Sequence, residues 1–291
     1  MILNSEQESF RASVSSFLAA KLPISALRAL RDKPVATAYD RDLWGELAVL
    51  GASSITVPAA SGGAEFGWLA LGAVAQELGR RLSPTPLLSS VVLAQGALIQ
   101  CASPEQVARY LPALLNGDEV WAVAFEEQTH FLPDCLQTAM TPLGLCGSKG
   151  MVLDGAAADR LLVTALDGSG QWGLLLVDPD TPGITLRASR LMDGRQYVAF
   201  EFSEVSELAC EWVAGPASEG AWARVLNQAM AVLAAEMLGS ARELCERTIE
   251  YLKEREQFDV KIGSFQALQH RAAHMYSELE LSQAAVDAAL I

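Results

Sequence analysis

The feature that most constrains this chain is the position at which its hydrophobic period changes, and then changes back. Up to about residue 117, apolar residues recur at helical spacing. Between about 118 and 216 they fall in short runs, Val120–Phe125, Leu143–Cys146, Arg160–Ala165, Trp172–Val177, Ile184–Arg187 and Tyr197–Phe202, separated by glycine and proline turns. From 217 to 291 helical spacing returns almost unbroken. Strands in one uninterrupted block, with no helix between them, suit an antiparallel sheet or barrel rather than βαβ units. The expected fold is therefore α+β and multidomain. It comprises an N-terminal all-α domain (1–117), a central antiparallel β-barrel or sandwich domain (118–216) and a C-terminal α-helical bundle domain (217–291).

Local signals place the helices. Asn4 or Ser5 can cap a helix with Phe10, Val14, Phe17 and Leu18 on one face, and Asp40 can cap another that stops at Gly51. A helix is expected over about Trp68–Arg81, and a further one over Leu87–Cys101 after the Pro84 and Pro86 break. Ser103 with Pro104 opens the last helix before Asn116-Gly117. Two long helices, Ser218–Lys253 and Ser264–Ile291, meet at a turn. They would leave wide apolar faces bare unless a four-helix bundle or another subunit covered them, so the bundle is expected to be incomplete within this sequence.

Composition narrows the function. A net charge of −14 disfavours a nucleic-acid partner. No apolar run of about 18 residues suggests a membrane span, and the first residues carry no basic-then-apolar leader pattern. Five scattered cysteines without C-x-x-C spacing fit neither a disulfide framework nor a zinc ribbon, so a cytoplasmic location is expected. No G-x-G-x-x-G occurs, which disfavours a Rossmann dinucleotide site. His270, His274 and Glu278 share a helix face but lack H-E-x-x-H context, so packing or surface roles outweigh metal binding.

The turn between the two long helices reads YLKEREQFDVKIGSFQALQHRAAHM. It clusters Arg255, Gln257, Phe258 and Gln266, a guanidinium and two carboxamides suited to phosphate oxygens and to a ribose or adenine edge. This segment resembles the R-x-Q-F-G and F-Q-x-x-Q motif with which acyl-CoA dehydrogenases hold the ADP half of FAD. VPAASGG, LGAVAQELGRR, SPEQVARYLPALLNGDEVWAVAFEE and LCGSKGMVLDGAAADRLLV resemble further family segments in the family's order, so the resemblance extends over nearly the whole chain.

The resemblance implies FAD-dependent α,β-dehydrogenation of an acyl-CoA thioester, with an electron-transferring flavoprotein as electron acceptor. It also implies an oligomer, because in the family the clamp grips FAD held mainly by a neighbouring subunit. Arg255 would pair with the pyrophosphate, Gln257 and Phe258 would flank it, and Gln266 would reach the adenosine. Asp259 stands where the family has glycine, a charge that Lys261 or Arg255 would have to offset.

The remaining family positions depart further. Glu126-Glu127-Gln128-Thr129-His130 replaces the T-E-P run, and Met151-Val152-Leu153 replaces W-I-T/S. Leu153 offers the flavin ring no side-chain hydrogen bond, and a Glu126–Glu127 acid–base pair is a minor possibility. Met230 occupies the place of the substrate-contacting arginine, and Ala229 that of one family glutamate base, so the catalytic residue is unassigned. These departures imply a degenerate subunit that lends its clamp to a homologous catalytic partner, as in steroid-type heteromeric enzymes. The alternatives are a self-sufficient homo-oligomer with its glutamate base beyond residue 291, and a non-catalytic assembly subunit.

Overall fold

The chain was analysed as a computed structural model that describes residues 3–32, 39–128, 135–191 and 194–291. Helix α1 (Ser5–Lys21) begins at Asn4, whose side chain accepts from the Gln7 amide while Gln7 bonds back to the Asn4 amide, a complete capping box. Helix α2 (Ile24–Arg31) was not expected from sequence; it is short and has no buried side chain to mark a periodic face. Helix α3 (Arg41–Val49) is capped by Asp40, and Gly51 at φ +108° turns the chain away. Helix α4 (Gly67–Arg81) lies centrally, and α5 (Gly96–Cys101) and α6 (Pro104–Leu115) follow. Ser103 and Gln106 form a second capping box at the start of α6.

The expected helix over Leu87–Cys101 is divided. Leu87–Gln95 is π-helical and only then passes into α5. All of Leu87–Gln95 except Leu88 is buried, so no polar face reveals the period, and a wider helix cannot be told from an α-helix by pattern.

The central block forms one sheet in the order β6 (Ile184–Arg190), β7 (Gln196–Val205), β3 (Gly144–Leu153), β2 (Ala139–Thr141), β4 (Arg160–Leu166), β5 (Trp172–Val177) and β8 (Cys210–Ala214). Pairing along it is antiparallel except between β2 and β4. Strand β1 (Trp121–Ala124) joins β4 in parallel, with Trp121 opposite Arg160. Strands β2 and β8 are too short for alternation to reveal them. The parallel pair requires a neighbour distant in sequence, which local pattern does not encode.

Helix α7 (Glu219–Glu254) runs 36 residues, roughly 54 Å at 1.5 Å per residue. Helix α8 (Gln266–Ala289) returns from it. The N-terminal and C-terminal helices share one core, in which Leu71, Val74, Leu78, Val92, Val225, Val232 and Ala235 are buried together with Trp121 and Leu174 of the sheet. A second core lies inside the sheet around Leu145, Val163, Phe200 and Phe202. Among the described residues no helix is long and apolar enough to cross a membrane.

The closest helix contact explains the glycine of the E-L-G-R segment. A Cβ on Gly79 of α4 would lie 1.9 Å from the Glu236 carbonyl oxygen of α7, and one on Gly239 would lie 2.0 Å from the Gln76 carbonyl oxygen. Ser240 Oγ donates to the Gly79 carbonyl at 2.8 Å. Backbones approach this closely only where neither helix carries a side chain. Gly79→Ala should therefore destabilise the fold by about 1–3 kcal/mol through overpacking. The check is thermal unfolding by circular dichroism, where the expected result is a melting temperature lower by several degrees.

Candidate functional site

At the corner between α7 and α8, Arg255 ends α7 with extended backbone (φ −68°, ψ 129°). A two-stranded hairpin follows, β9 (Glu256–Gln257) pairing with β10 (Val260–Lys261). Phe258 and Asp259 form its tip, with φ of +54° and +61°. Two successive left-handed residues make the turn that suits a two-residue hairpin, and they normally require Asn, Asp or Gly. Asp259 therefore replaces a family glycine at a position where aspartate is among the better tolerated side chains. The expected offset by Lys261 takes another form. Lys261 Nζ pairs with Glu256 at 2.8 Å and donates to the Glu254 carbonyl at 3.2 Å, so it braces the hairpin rather than neutralising Asp259.

All four sequence-predicted residues, Arg255, Gln257, Phe258 and Gln266, are exposed, and the corner brings them together within one short segment. Phe258, 88% exposed, meets Phe265 edge-on at a centroid distance of 6.3 Å. Gln257 bonds only the neighbouring Glu256 carbonyl, at 2.7 Å. The Arg255 guanidinium and the Gln266 carboxamide have no partner among the described residues. Helix α8 starts beside them with Phe265 at its N-cap and no side-chain cap. A free guanidinium beside uncapped helical amides can take an anion with several oxygens. The residues present thus fit the diphosphate half of a dinucleotide cofactor.

The positions expected to face a flavin ring fit less well. Glu126 lies after β1 and accepts from the Gly150 amide through its carbonyl at 2.8 Å; burial raises the pKa of its carboxyl group. Met151 bulges from β3 at φ +52° and is exposed, and Leu153 contributes only hydrocarbon. Thr129 and His130 lie outside the described residues. Met230 faces out from α7 and Ala229 is buried. No carboxylate stands at either of these α7 positions.

Glu127 is not half of an acid–base pair. It accepts from the Gln137 and Thr138 amides at 2.7 and 2.9 Å and from Lys149 Nζ at 2.7 Å. Lys149 is fully buried and also donates to Thr164 Oγ1 at 2.9 Å. Burial lowers the Lys149 pKa to about 8, while Glu127, despite its burial, is held below the usual carboxylate range by Lys149 and Thr138. The network joins the segment after β1 to β3 and β4. Lys149 belongs to the LCGSKGMVLDGAAADRLLV segment, whose local pattern carries no sign of this role. His274 stands 3.8 Å from Glu278 on the exposed face of α8, with both side chains largely in solvent.

Asp154 was missed by the sequence reading. It is buried at the end of β3 in a left-handed conformation (φ +57°), and its carboxylate accepts from Ser89 Oγ at 2.6 Å. It lines a narrow cavity with Ser83, Arg195 and Glu236, the last two of which form an ion pair. Asp154 thus ties the sheet to the π-helical segment. The only sequence signal was an acidic residue followed by glycine and alanine in an apolar stretch.

Comparison with known proteins places this geometry. The acyl-CoA dehydrogenase N-terminal domain family matches residues 4–118, and the acyl-CoA dehydrogenase C-terminal domain family matches residues 221–290. Acyl-CoA dehydrogenase FadE27 of Mycobacterium tuberculosis is 34% identical over 254 residues, covering 85% of this chain and 66% of the relative. Acyl-CoA dehydrogenase IpdE2 of the same organism is 31% identical, covering 97% of this chain and 74% of the relative. Among solved structures, a variant of the Tcur3481-Tcur3483 steroid ACAD superposes with a TM-score of 0.86 at 30% identity. The ChsE4-ChsE5 complex from Mycobacterium tuberculosis superposes at 0.85 and 29%. Each match covers 99% of this chain and 78% of the solved chain. The chain belongs to the acyl-CoA dehydrogenase family, whose members are oxidoreductases acting on acyl-CoA. It spans about two thirds to three quarters of the length of the relatives named here.

Asp154 gives a pH signature. Burial raises its pKa from 3.8 to about 6. A carboxyl group with a raised folded pKa contributes stability below its unfolded pKa and loses it as pH rises through the folded value. Two pKa units correspond to about 3 kcal/mol. Melting curves from pH 4 to 7.5 should show the stability of wild type falling relative to Asp154→Asn between about pH 4 and 6 and levelling off above that. Parallel profiles for the two proteins would contradict this.

Proposed function

We propose that this chain is one subunit of a heteromeric acyl-CoA dehydrogenase, clamping the ADP half of an FAD whose flavin ring is held by a homologous catalytic partner. The observation that carries this reading is the pairing of an exposed, unpartnered Arg255 at the uncapped start of α8 with a ring position occupied by Glu126 and Leu153. FAD, when bound, supplies the hydride acceptor for α,β-dehydrogenation of the acyl-CoA thioester. In this chain Arg255 would pair with the diphosphate, Gln257 and Phe258 would flank it, and Gln266 would reach the adenosine. The similarity to Tcur3481-Tcur3483 and ChsE4-ChsE5 favours a bulky, steroid-type thioester. The family resemblance favours an electron-transferring flavoprotein as electron acceptor.

The face of α7 supports a partner. Met230, Met237, Leu244 and Tyr251 stand at seven-residue intervals, each more than half exposed, with Ala234 and Ala241 between them. This stripe is uncharged and spans about 32 Å along the axis. An apolar seam of period 3.5 bordered by small residues is the pattern that packs against another helix at a shallow angle. Helices of the homologous subunit would cover it and hold the corner against the shared FAD.

Three experiments test the reading. Expressed alone, the chain should be colourless, and co-expressed with the homologous subunit it should form a yellow complex. Yellow protein carrying one FAD per chain and bleached by an acyl-CoA would overturn the heteromeric proposal. In the complex, Arg255→Ala should weaken FAD binding at least tenfold, since a charge-assisted contact contributes about 1.5–3 kcal/mol. Separately, Leu244→Glu should release the partner on gel filtration while leaving the chain folded; an intact complex would exclude the seam.

A further inference from the structure

The cavity that Asp154 lines lies where five elements meet: the end of α4, the π-helical segment, the end of β3, the approach to β7 and the middle of α7. Ser83, Leu87, Leu153, Asp154, Arg195 and Glu236 stand on its walls. Its volume of about 20 Å³ suits one water molecule, which needs roughly 10–15 Å³, and nothing larger. Glu236 precedes Arg255 by 19 residues of α7, about 28 Å of helix axis, so the cavity is separate from the clamp.

Two buried side chains on these walls have hydrogen-bonding capacity that the described residues leave unused. Ser83 is 5% exposed, and its one polar side-chain atom, the buried Oγ, has no partner among them. Asp154 is 4% exposed. Its Oδ2 accepts from Ser89 Oγ at 2.6 Å, while no described residue donates to Oδ1. A buried hydroxyl or carboxylate oxygen without a partner is unfavourable, and folded interiors satisfy such groups with protein or with ordered water.

Local anchors keep the two groups from bonding each other. Leu82 turns the chain out of α4 in the left-handed region (φ +51°), and the Ser83 amide donates back to the Leu78 carbonyl at 3.0 Å. Asp154 is likewise left-handed (φ +57°) and is held by Ser89. The remaining polar wall is occupied with itself, since Arg195 pairs with Glu236, and Leu87 and Leu153 offer only hydrocarbon. An occupant must therefore be small, donate to a carboxylate and bond a hydroxyl at once. Water does all three.

We propose that this cavity is a binding site for one ordered water molecule, which donates to Asp154 Oδ1 and shares a hydrogen bond with Ser83 Oγ. The water joins the turn after α4 to the end of β3, beside the direct Asp154–Ser89 bond that joins β3 to the π-helical segment. Helix α4, the π-helical segment and the sheet are thus pinned at one buried carboxyl group.

The test is a pair of high-resolution crystal structures, wild type and Ser83→Val, of the chain alone or in its complex. In wild type, a single density peak is expected at about 2.5–3.0 Å from both Ser83 Oγ and Asp154 Oδ1. In Ser83→Val, which removes the hydroxyl and places methyl groups in the cavity, the peak should be gone. A wild-type cavity without density overturns the proposal, as does a peak that reaches only one of the two groups. A peak ringed by six or more oxygens at about 2.3–2.6 Å marks a cation and overturns it as well. Persistence of the peak in Ser83→Val removes Ser83 from the site and has the same effect. Should Ser83→Val fail to fold, the wild-type density decides alone.

Discussion

The close approach of α4 and α7 at Gly79 and Gly239 sets the position of the long helix that ends at the Arg255 corner. Each glycine meets a carbonyl of the other helix at a distance that excludes even a methyl group. That contact fixes both rotation and height of a helix roughly 54 Å long. The Arg255 corner is the far end of that helix, about two turns beyond Arg247, which lines a cleft with Arg81. A packing constraint between two small residues thus becomes a positional constraint on two separate sets of cationic donors.

Electrostatics divide the charged groups into two kinds. Most arginines and lysines are engaged locally: Arg11 with Glu8 and Glu77, Arg80 with Glu243 and Glu246, and Lys149 with Glu127. Such pairs at the surface contribute little to stability, whereas the buried Lys149–Glu127 pair would be costly to break from one side. Arg255 and Arg81, like Arg28, Arg187, Arg224 and Arg271, have no ion pair among the described residues.

The candidate clamp residues could be named from sequence because they are local. Arg255, Gln257, Phe258 and Gln266 fall within twelve residues, and the turn that gathers them is written in the same stretch. The helix caps at Asn4, Asp40 and Ser103 were legible for the same reason, since a capping side chain and the amide that donates to it lie two or three residues apart. Strands β2 and β8, helix α2 and the π-helical segment were not. They are short, or buried on nearly every side, and offer no contrast between faces. The Asp154–Ser89 bond and the Arg81 cleft join residues distant in the chain, so no spacing rule could announce them.

The chain's own residues determined the order of helical and strand segments, the family and the contents of the corner, because periodicity, caps and short motifs act over a few neighbouring positions. Only tertiary structure decided that Glu127 is held by a buried lysine, that Asp154 bonds Ser89, and that Arg81 keeps a donor without an acceptor. Those outcomes depend on which distant groups are brought within about 3 Å and on how much water is excluded around them. Folding alone sets both.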